Sequence, residues 1–327
     1  MKRFLTNYIA LILILIGVLW VVGNFFSSEI ETQPVRFEVT SGDGVFSIAQ
    51  NLVHQNLTKS SLTFVAYALV TGHYSHFQPG VYILDASMGL NQIVRLLTSG
   101  PPDVTVTIFP GMTLKEIDLM LAKIGIISAD QLENLEPSLL ENDFSFLAGA
   151  KNLEGFLMPD TYRIRPSSDA SQVAKVVLEN FQKKGLPLIS KVSNPYRALI
   201  IASLLEKEVV NQNDKQLVAG IIEKRFKMGM PLQIDATVLY AACGGKFLNC
   251  QPLSQNDYKS NSPYNTYMVN GLPPSPIGNP TTDSIEAAIT PKSSAYLYYL
   301  TEGQNRTTIF SKTFNEHNDS RAKYLGL

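Results

Sequence analysis

Phe37-Glu38-Val39-Thr40-Ser41-Gly42, followed by Val45, Ile48, Ala49, Leu52 and Val53, sets the local pattern of this chain. Apolar and polar residues first alternate, as a half-buried strand requires, and the alternation stops at a glycine. The apolar positions then recur every three or four residues, which is the period of a helix. The same order returns at Val104-Thr105-Val106-Thr107-Ile108, where Pro110-Gly111 leads into Leu114, Ile117, Leu121 and Ile124. A middle copy is read at Gly80-Val81-Tyr82-Ile83-Leu84, with Met88, Ile93 and Leu96-Leu97 after it. Each unit reads as strand, turn and helix, the helix opened by a small polar residue such as Ser47 or Thr113. Pro101-Pro102 marks a break between the first and later copies.

Units of this kind resemble the LysM-like modules that bind N-acetylglucosamine polymers. Region 35–150 is therefore expected to be a small LysM-like α+β subdomain, in contact with glycan or serving only as structure. From about Asn152 the texture changes, and 151–327 is expected to form a second α+β domain. Helical periodicity runs from Ala170 to Lys184 and from Asn194 to Val210. Asn194-Pro195 suits a helix start, with Asn as cap and Pro in the first turn. Cys243 to Pro280 is loop-rich, Tyr296 to Leu300 reads as a buried strand, and Thr313 to Tyr324 reads as a closing helix.

Toward the N-terminus, Met1-Lys2-Arg3 precedes a nearly charge-free run over 8–26, YIALILILIGVLWVVGNFF. About 20 apolar residues cross a hydrocarbon layer of roughly 30 Å. Lys2 and Arg3 precede the run, whereas Glu29 and Glu31 follow it. The positive-inside rule then puts 1–7 in the cytoplasm and everything after the run outside, with 27–34 as linker. The run ends in Gly-Asn-Phe-Phe with no small-x-small cleavage site, which favours an uncleaved anchor over a signal peptide.

The 327 residues suffice for an anchor and two modest domains. A net charge of −1 is a poor footprint for a nucleic-acid binder, which needs a basic face. Two cysteines and four scattered histidines make no zinc-like cluster. Cys243 and Cys250 flank Gly244-Gly245 and could close a short disulfide or remain two small buried thiols; spacing leaves that open.

The chemistry is sought in Pro195-Tyr-Arg-Ala-Leu-Ile-Ile-Ala-Ser-Leu-Leu-Glu206-Lys-Glu208. Two turns that are apolar all round mark a buried helix. A carboxyl at the end of such a helix tends to be held neutral by desolvation, as a general acid must be. The plainer reading is that Glu206 and Glu208 begin the solvated end. Residues i and i+2 point about 200° apart, so both cannot face one substrate, and periodicity does not choose between them.

Ala202-Ser203-Leu204-Leu205-Glu206-Lys207-Glu208 is similar to the ASxxEKE motif of the YceG-like (MltG) endolytic murein transglycosylase family. Other blocks follow in that family's order. They are Leu153 to Tyr162 (LEGFLMPDTY), Met230 to Tyr240 (MPLQIDATVLY), Ser262 to Tyr267 (SPYNTY), Gly271 to Pro280 (GLPPSPIGNP), Tyr296-Leu297-Tyr298 and Glu316-His317-Asn318. Ala236 departs from a proline of the family pattern, Ser275 and Thr281 from glycines, and Thr308 from a histidine.

The resemblance implies cleavage of the β-1,4 bond between N-acetylmuramic acid and N-acetylglucosamine within a glycan strand, leaving a 1,6-anhydro end. Carried over onto this sequence, the catalytic residue is Glu206, acting as acid and then base. Gln233, Asp235, Tyr240, Tyr264, Asn265 and Tyr267 are the candidate sugar-binding residues, with core tyrosines and turn-capping Asx residues as the plainer alternative. No cofactor or metal is called for. The expected partners are peptidoglycan, the inner membrane that holds the anchor, and peptidoglycan synthases. The rival reading is a catalytically silent wall-binding scaffold.

Overall fold

The computed structural model describes residues 34–166, 168–302 and 307–326. The apolar run 8–26 and its flanks up to 33 lie outside them. Among the described residues no helix is long and apolar enough to cross a membrane. The fold is α+β, and the chain divides into two compact units, the second running from Thr105 to the C-terminus apart from a short connection at 165–167.

In the first unit, β1 (Val35–Val39) is followed by α1 (Val45–His54), α2 (Ser61–Val70), β2 (Gly80–Leu84) and α3 (Leu90–Ser99). β1 and β2 pair antiparallel, with Val35 opposite Leu84 and Phe37 opposite Tyr82. Period-two geometry thus puts Phe37, Val39, Tyr82 and Leu84 on one face, and all four are buried. Ile48, Ala49 and Leu52 of α1, Phe64 and Val65 of α2, and Ile93, Val94 and Leu97 of α3 complete that core.

The expected repeat is only partly realised. All three strand–helix pairs exist, but β1 and β2 are partners in one sheet rather than equivalent copies. The difference is α2, whose sequence Ser-Leu-Thr-Phe-Val-Ala-Tyr-Ala-Leu-Val is so uniformly apolar that it shows no period. Ser47 also does not open α1. Gly44 is the cap, and the Ser47 hydroxyl donates to Asp43.

β3 (Val104–Ile108) pairs with β4 (Asp160–Ile164), and α4 (Leu114–Lys123) lies between them in sequence. Thr113 caps α4 as expected: its hydroxyl accepts from the Glu116 amide while the Glu116 carboxyl accepts from the Thr113 amide. The rest of the second unit is mainly helical: α5 (Ala170–Lys184), α6 (Leu186–Ile189), α7 (Pro195–Glu208), α8 (Gln212–Lys227), α9 (Asp235–Ala242) and α10 (Thr282–Ile289). A two-stranded antiparallel sheet, β5 (Tyr298–Thr301) with β6 (Thr308–Ser311), and α11 (Phe314–Leu325) close it. The Tyr296–Leu300 run is not the buried strand its composition suggests. Only Leu300 is fully buried, because a two-stranded sheet covers one face and leaves the tyrosines partly buried.

α7 is the axis of this unit. Ala198 through Leu205 are all buried, which explains a helix apolar on every side. α8 and α10 pack against it. The turn after α10 comes so close to α8 that a Cβ on Gly220 would lie 1.9 Å from the Lys292 carbonyl oxygen. The long loop beyond α9 carries a Cys243–Cys250 disulfide, with Cα atoms 5.9 Å apart.

Candidate active site

The C-terminal turn of α7 presents three charged residues in a row, and each enters different surroundings. Glu206, with a side chain only 8% exposed, accepts hydrogen bonds from both the amide and the hydroxyl of Thr281, at 2.8 and 2.7 Å. Its other oxygen lies 3.5 Å from Nζ of the buried Lys215 on α8. Glu206 thereby ties the start of α10 to α8. Lys207 runs the other way, with Nζ 3.5 Å from the centre of the Phe247 ring. Burial pushes its ammonium below the usual lysine value, against the pull of Glu116, Glu154 and Glu206.

Glu208, half-buried like Glu206, has different neighbours. Burial, with the negative charge of Asp235 added, pushes its carboxyl up to about 7, and a hydrogen bond with the Tyr299 hydroxyl opposes the rise. Asp235 opens α9, with its own side chain held by the Tyr267 hydroxyl at 2.6 Å. The Tyr258 and Tyr267 rings meet edge to face at 4.9 Å. Burial first, and the charged neighbour second, keeps Tyr299 and Tyr267 well above the usual phenol range, so both stay protonated hydrogen-bond donors.

The six candidate sugar-binding residues therefore separate. Asp235 and Tyr267 belong to the surroundings of Glu208. Gln233 sits two residues before Asp235, exposed, with a left-handed backbone (φ 52°) and its amide on the Thr266 carbonyl. Tyr240 and Tyr264 meet at a tilt, ring centres 5.0 Å apart, in another cluster. There the Tyr240 hydroxyl donates to Glu154 at 3.2 Å, and the Tyr264 and Ser275 hydroxyls bond at 2.6 Å. Tyr240 is buried, with its ring against Phe247 and Tyr264. Asn265 is fully buried and works as a loop staple: its amide donates to the Tyr258 and Ser260 carbonyls, and its oxygen accepts from the Tyr267 amide.

Glu154, a motif-embedded carboxylate that a water-using hydrolase would need as its second acid, and Asn279, which pattern reading did not single out, organise the second cluster. Glu154 is buried against the Leu114 amide, Tyr240 and Asn279, and burial pushes its carboxyl up to about 8. Asn279 accepts from the Gly155 and Leu157 amides, both at 2.8 Å, and donates to the Met112 carbonyl. A cavity of about 380 Å³ opens beside Glu154, lined also by Leu114, Glu133, Asn152, Tyr240 and Gly245. With its oxygens occupied by protein donors, Glu154 is a brace rather than a free acid. Among the described residues, no group of three or more His, Cys, Asp or Glu is arranged to hold a metal ion.

The second unit thus presents a half-buried carboxyl with a raised pKa beside a second carboxylate and tyrosine hydroxyls, the equipment of a glycan-cleaving acid/base site. This chain belongs to the YceG-like family, whose profile matches residues 37–323. A protein of Bacillus subtilis named endolytic murein transglycosylase is 34% identical over 89% of this chain and 85% of its own length. A Streptococcus pneumoniae protein of the same name is 28% identical over 89% of this chain, which spans 58% of that longer relative. The crystal structure of a yceG-like protein from Listeria monocytogenes superposes with a TM-score of 0.57 at 26% identity, covering 89% of this chain and all of that one.

Proposed function

We propose that this protein is an endolytic peptidoglycan lytic transglycosylase and that its acid/base is Glu208, not the Glu206 implied by motif resemblance. Family membership and the names of the relatives support the reaction class. The observation that carries the residue is the contrast on α7. Both are half-buried, but Glu206 has one oxygen held by Thr281 and the other facing Lys215, whereas Glu208 is raised to about 7 beside Asp235 and Tyr299.

Protonated Glu208 donates its proton to the glycosidic oxygen as the muramic C1–O bond breaks through an oxocarbenium-like state, with the muramic N-acetyl group assisting at C1. The resulting carboxylate takes the proton of the C6 hydroxyl, whose oxygen bonds to C1. The 1,6-anhydro ring forms, Glu208 is protonated again, and no water is consumed. One carboxyl serves both halves, so a nucleophilic second carboxylate is not needed. Asp235, Tyr267 and Gln233 are the sugar-facing residues of this reading; Tyr264 and Tyr240 stiffen the neighbouring wall.

The same reading places an anchor at 8–26 in the inner membrane, the N-terminus in the cytoplasm and the folded units in the periplasm, where the enzyme acts on nascent strands beside peptidoglycan synthases. The Cys243–Cys250 bridge supports an oxidising compartment. The strand–helix–helix–strand order of the first unit supports a LysM-like glycan-binding role.

Sacculi digested with the full chain, with Glu208→Gln and with Glu206→Gln, followed by mass analysis of the muropeptides, test the proposal. Anhydro ends from the wild type and from Glu206→Gln, but not from Glu208→Gln, are expected. Anhydro ends surviving in Glu208→Gln and lost in Glu206→Gln return the role to Glu206. Reducing ends indicate a hydrolase, and intact strands a scaffold.

A further inference from the structure

Helix α2 is apolar on two sides. Its inner side, with Phe64, Val65 and Ala68, fills the core of the first unit. Its outer side carries Leu62, Ala66, Leu69 and Val70, spaced i, i+4, i+7 and i+8, all exposed: Leu62 by 74%, Leu69 by 53% and Val70 by 88%. Those positions make an unbroken apolar stripe about 100° wide, the size a helix ordinarily turns inward. Exposed Tyr74 follows in the next turn.

The surroundings name the occupant. From Gly44 to Leu84 there is no Asp or Glu, while Lys59 stands before the helix and His73 and His76 follow it. An apolar stripe with a lysine ahead of it and no acids in its segment suits the interface of an anionic bilayer. A sugar is disfavoured, since the stripe itself holds only aliphatic side chains and no aromatic face to stack on. Reach is no obstacle: the linker 27–34 between the apolar run and β1 extends at most about 3.3–3.6 Å per residue, comparable to the width of so small a unit.

We propose that the outer face of α2 lies in the interfacial layer of the membrane that holds the anchor, so that the first unit rests on the bilayer instead of swinging free from it. This rests on the anchor reading above.

The test uses the full chain in vesicles of phosphatidylethanolamine and phosphatidylglycerol. Leu69→Cys, Val70→Cys and, as control, the exposed Arg95→Cys of α3 each carry an environment-sensitive fluorophore. Cys243 and Cys250 are joined, so the introduced thiol takes the label. The expected result is blue-shifted emission at 69 and 70 that is quenched when the lipid chains are brominated, with aqueous, unquenched emission at 95. Aqueous emission at all three positions in chains that still float with the vesicles under alkaline carbonate overturns the inference and leaves the anchor standing. Blue-shifted emission that brominated lipid does not quench means that protein, such as a second copy of the chain, covers the face, and overturns it too. Chains that fail to float overturn the anchor and the inference together.

Discussion

The Tyr267 hydroxyl donates a 2.6 Å hydrogen bond to Oδ1 of Asp235, and the carboxylate so held bears electrostatically on Glu208 from the first turn of α9. It has a sign that can be measured. Glu208 serves as acid while protonated, so activity falls as pH rises through about 7. Asp235 adds its charge to burial in holding that value up. Asp235→Asn removes the charge, Glu208 deprotonates at lower pH, and the alkaline limb of the kcat/KM profile moves acidward. A uniform loss of rate with the limb unmoved shows that Asp235 only supports the loop.

Glu206 predicts a loss of stability. Glu206→Ala leaves Lys215 buried and unpaired and frees the Thr281 hydroxyl, which costs about 3–5 kcal/mol when one partner of a buried pair is removed. Chemical denaturation reads the cost. Activity per folded molecule is expected to persist, and its disappearance with stability unchanged argues for catalysis at Glu206.

Asn279 holds two buried backbone amides at once. Asn279→Ala strands both, and at about 1–3 kcal/mol for each unsatisfied group the second unit is expected to lose about 2–6 kcal/mol. A denaturation midpoint within error of the wild type refutes it.

Gly220 has no room for a methyl group. Gly220→Ala forces α8 from the Lys292 carbonyl, an overpacking cost of about 1–3 kcal/mol or more, although alanine is the better helix former. A higher melting temperature for the variant contradicts this contact.

The disulfide closes a short loop, worth about 2–3 kcal/mol by chain entropy. Reductant is expected to lower the unfolding midpoint of the wild type and to leave that of the Cys243→Ser, Cys250→Ser double variant unchanged. Equal response of the two proteins refutes the bridge.

Local rules made a good part of this architecture legible in advance. Strands 35–39 and 104–108 show period two, α5 shows period 3.6, and Asn194, Thr113 and Thr313 announce helix starts by capping chemistry. Motif order also pointed to the family. α2 escaped notice because it is apolar on both sides, and α8 because its polar-rich sequence leaves only a sparse apolar stripe. The bracing roles of Glu154 and Asn279 were hidden for another reason: their partners lie up to 125 residues away, and no spacing rule spans that distance.

Sequence alone determined that Glu206 and Glu208 face different ways, since helical geometry allows nothing else. Which of them meets Thr281 and Lys215, and which meets Asp235 and Tyr299, was decided only by tertiary packing. A carboxyl's burial and charge depend on what neighbouring elements bring against it, and those partners come from 9 to 91 positions further along the chain.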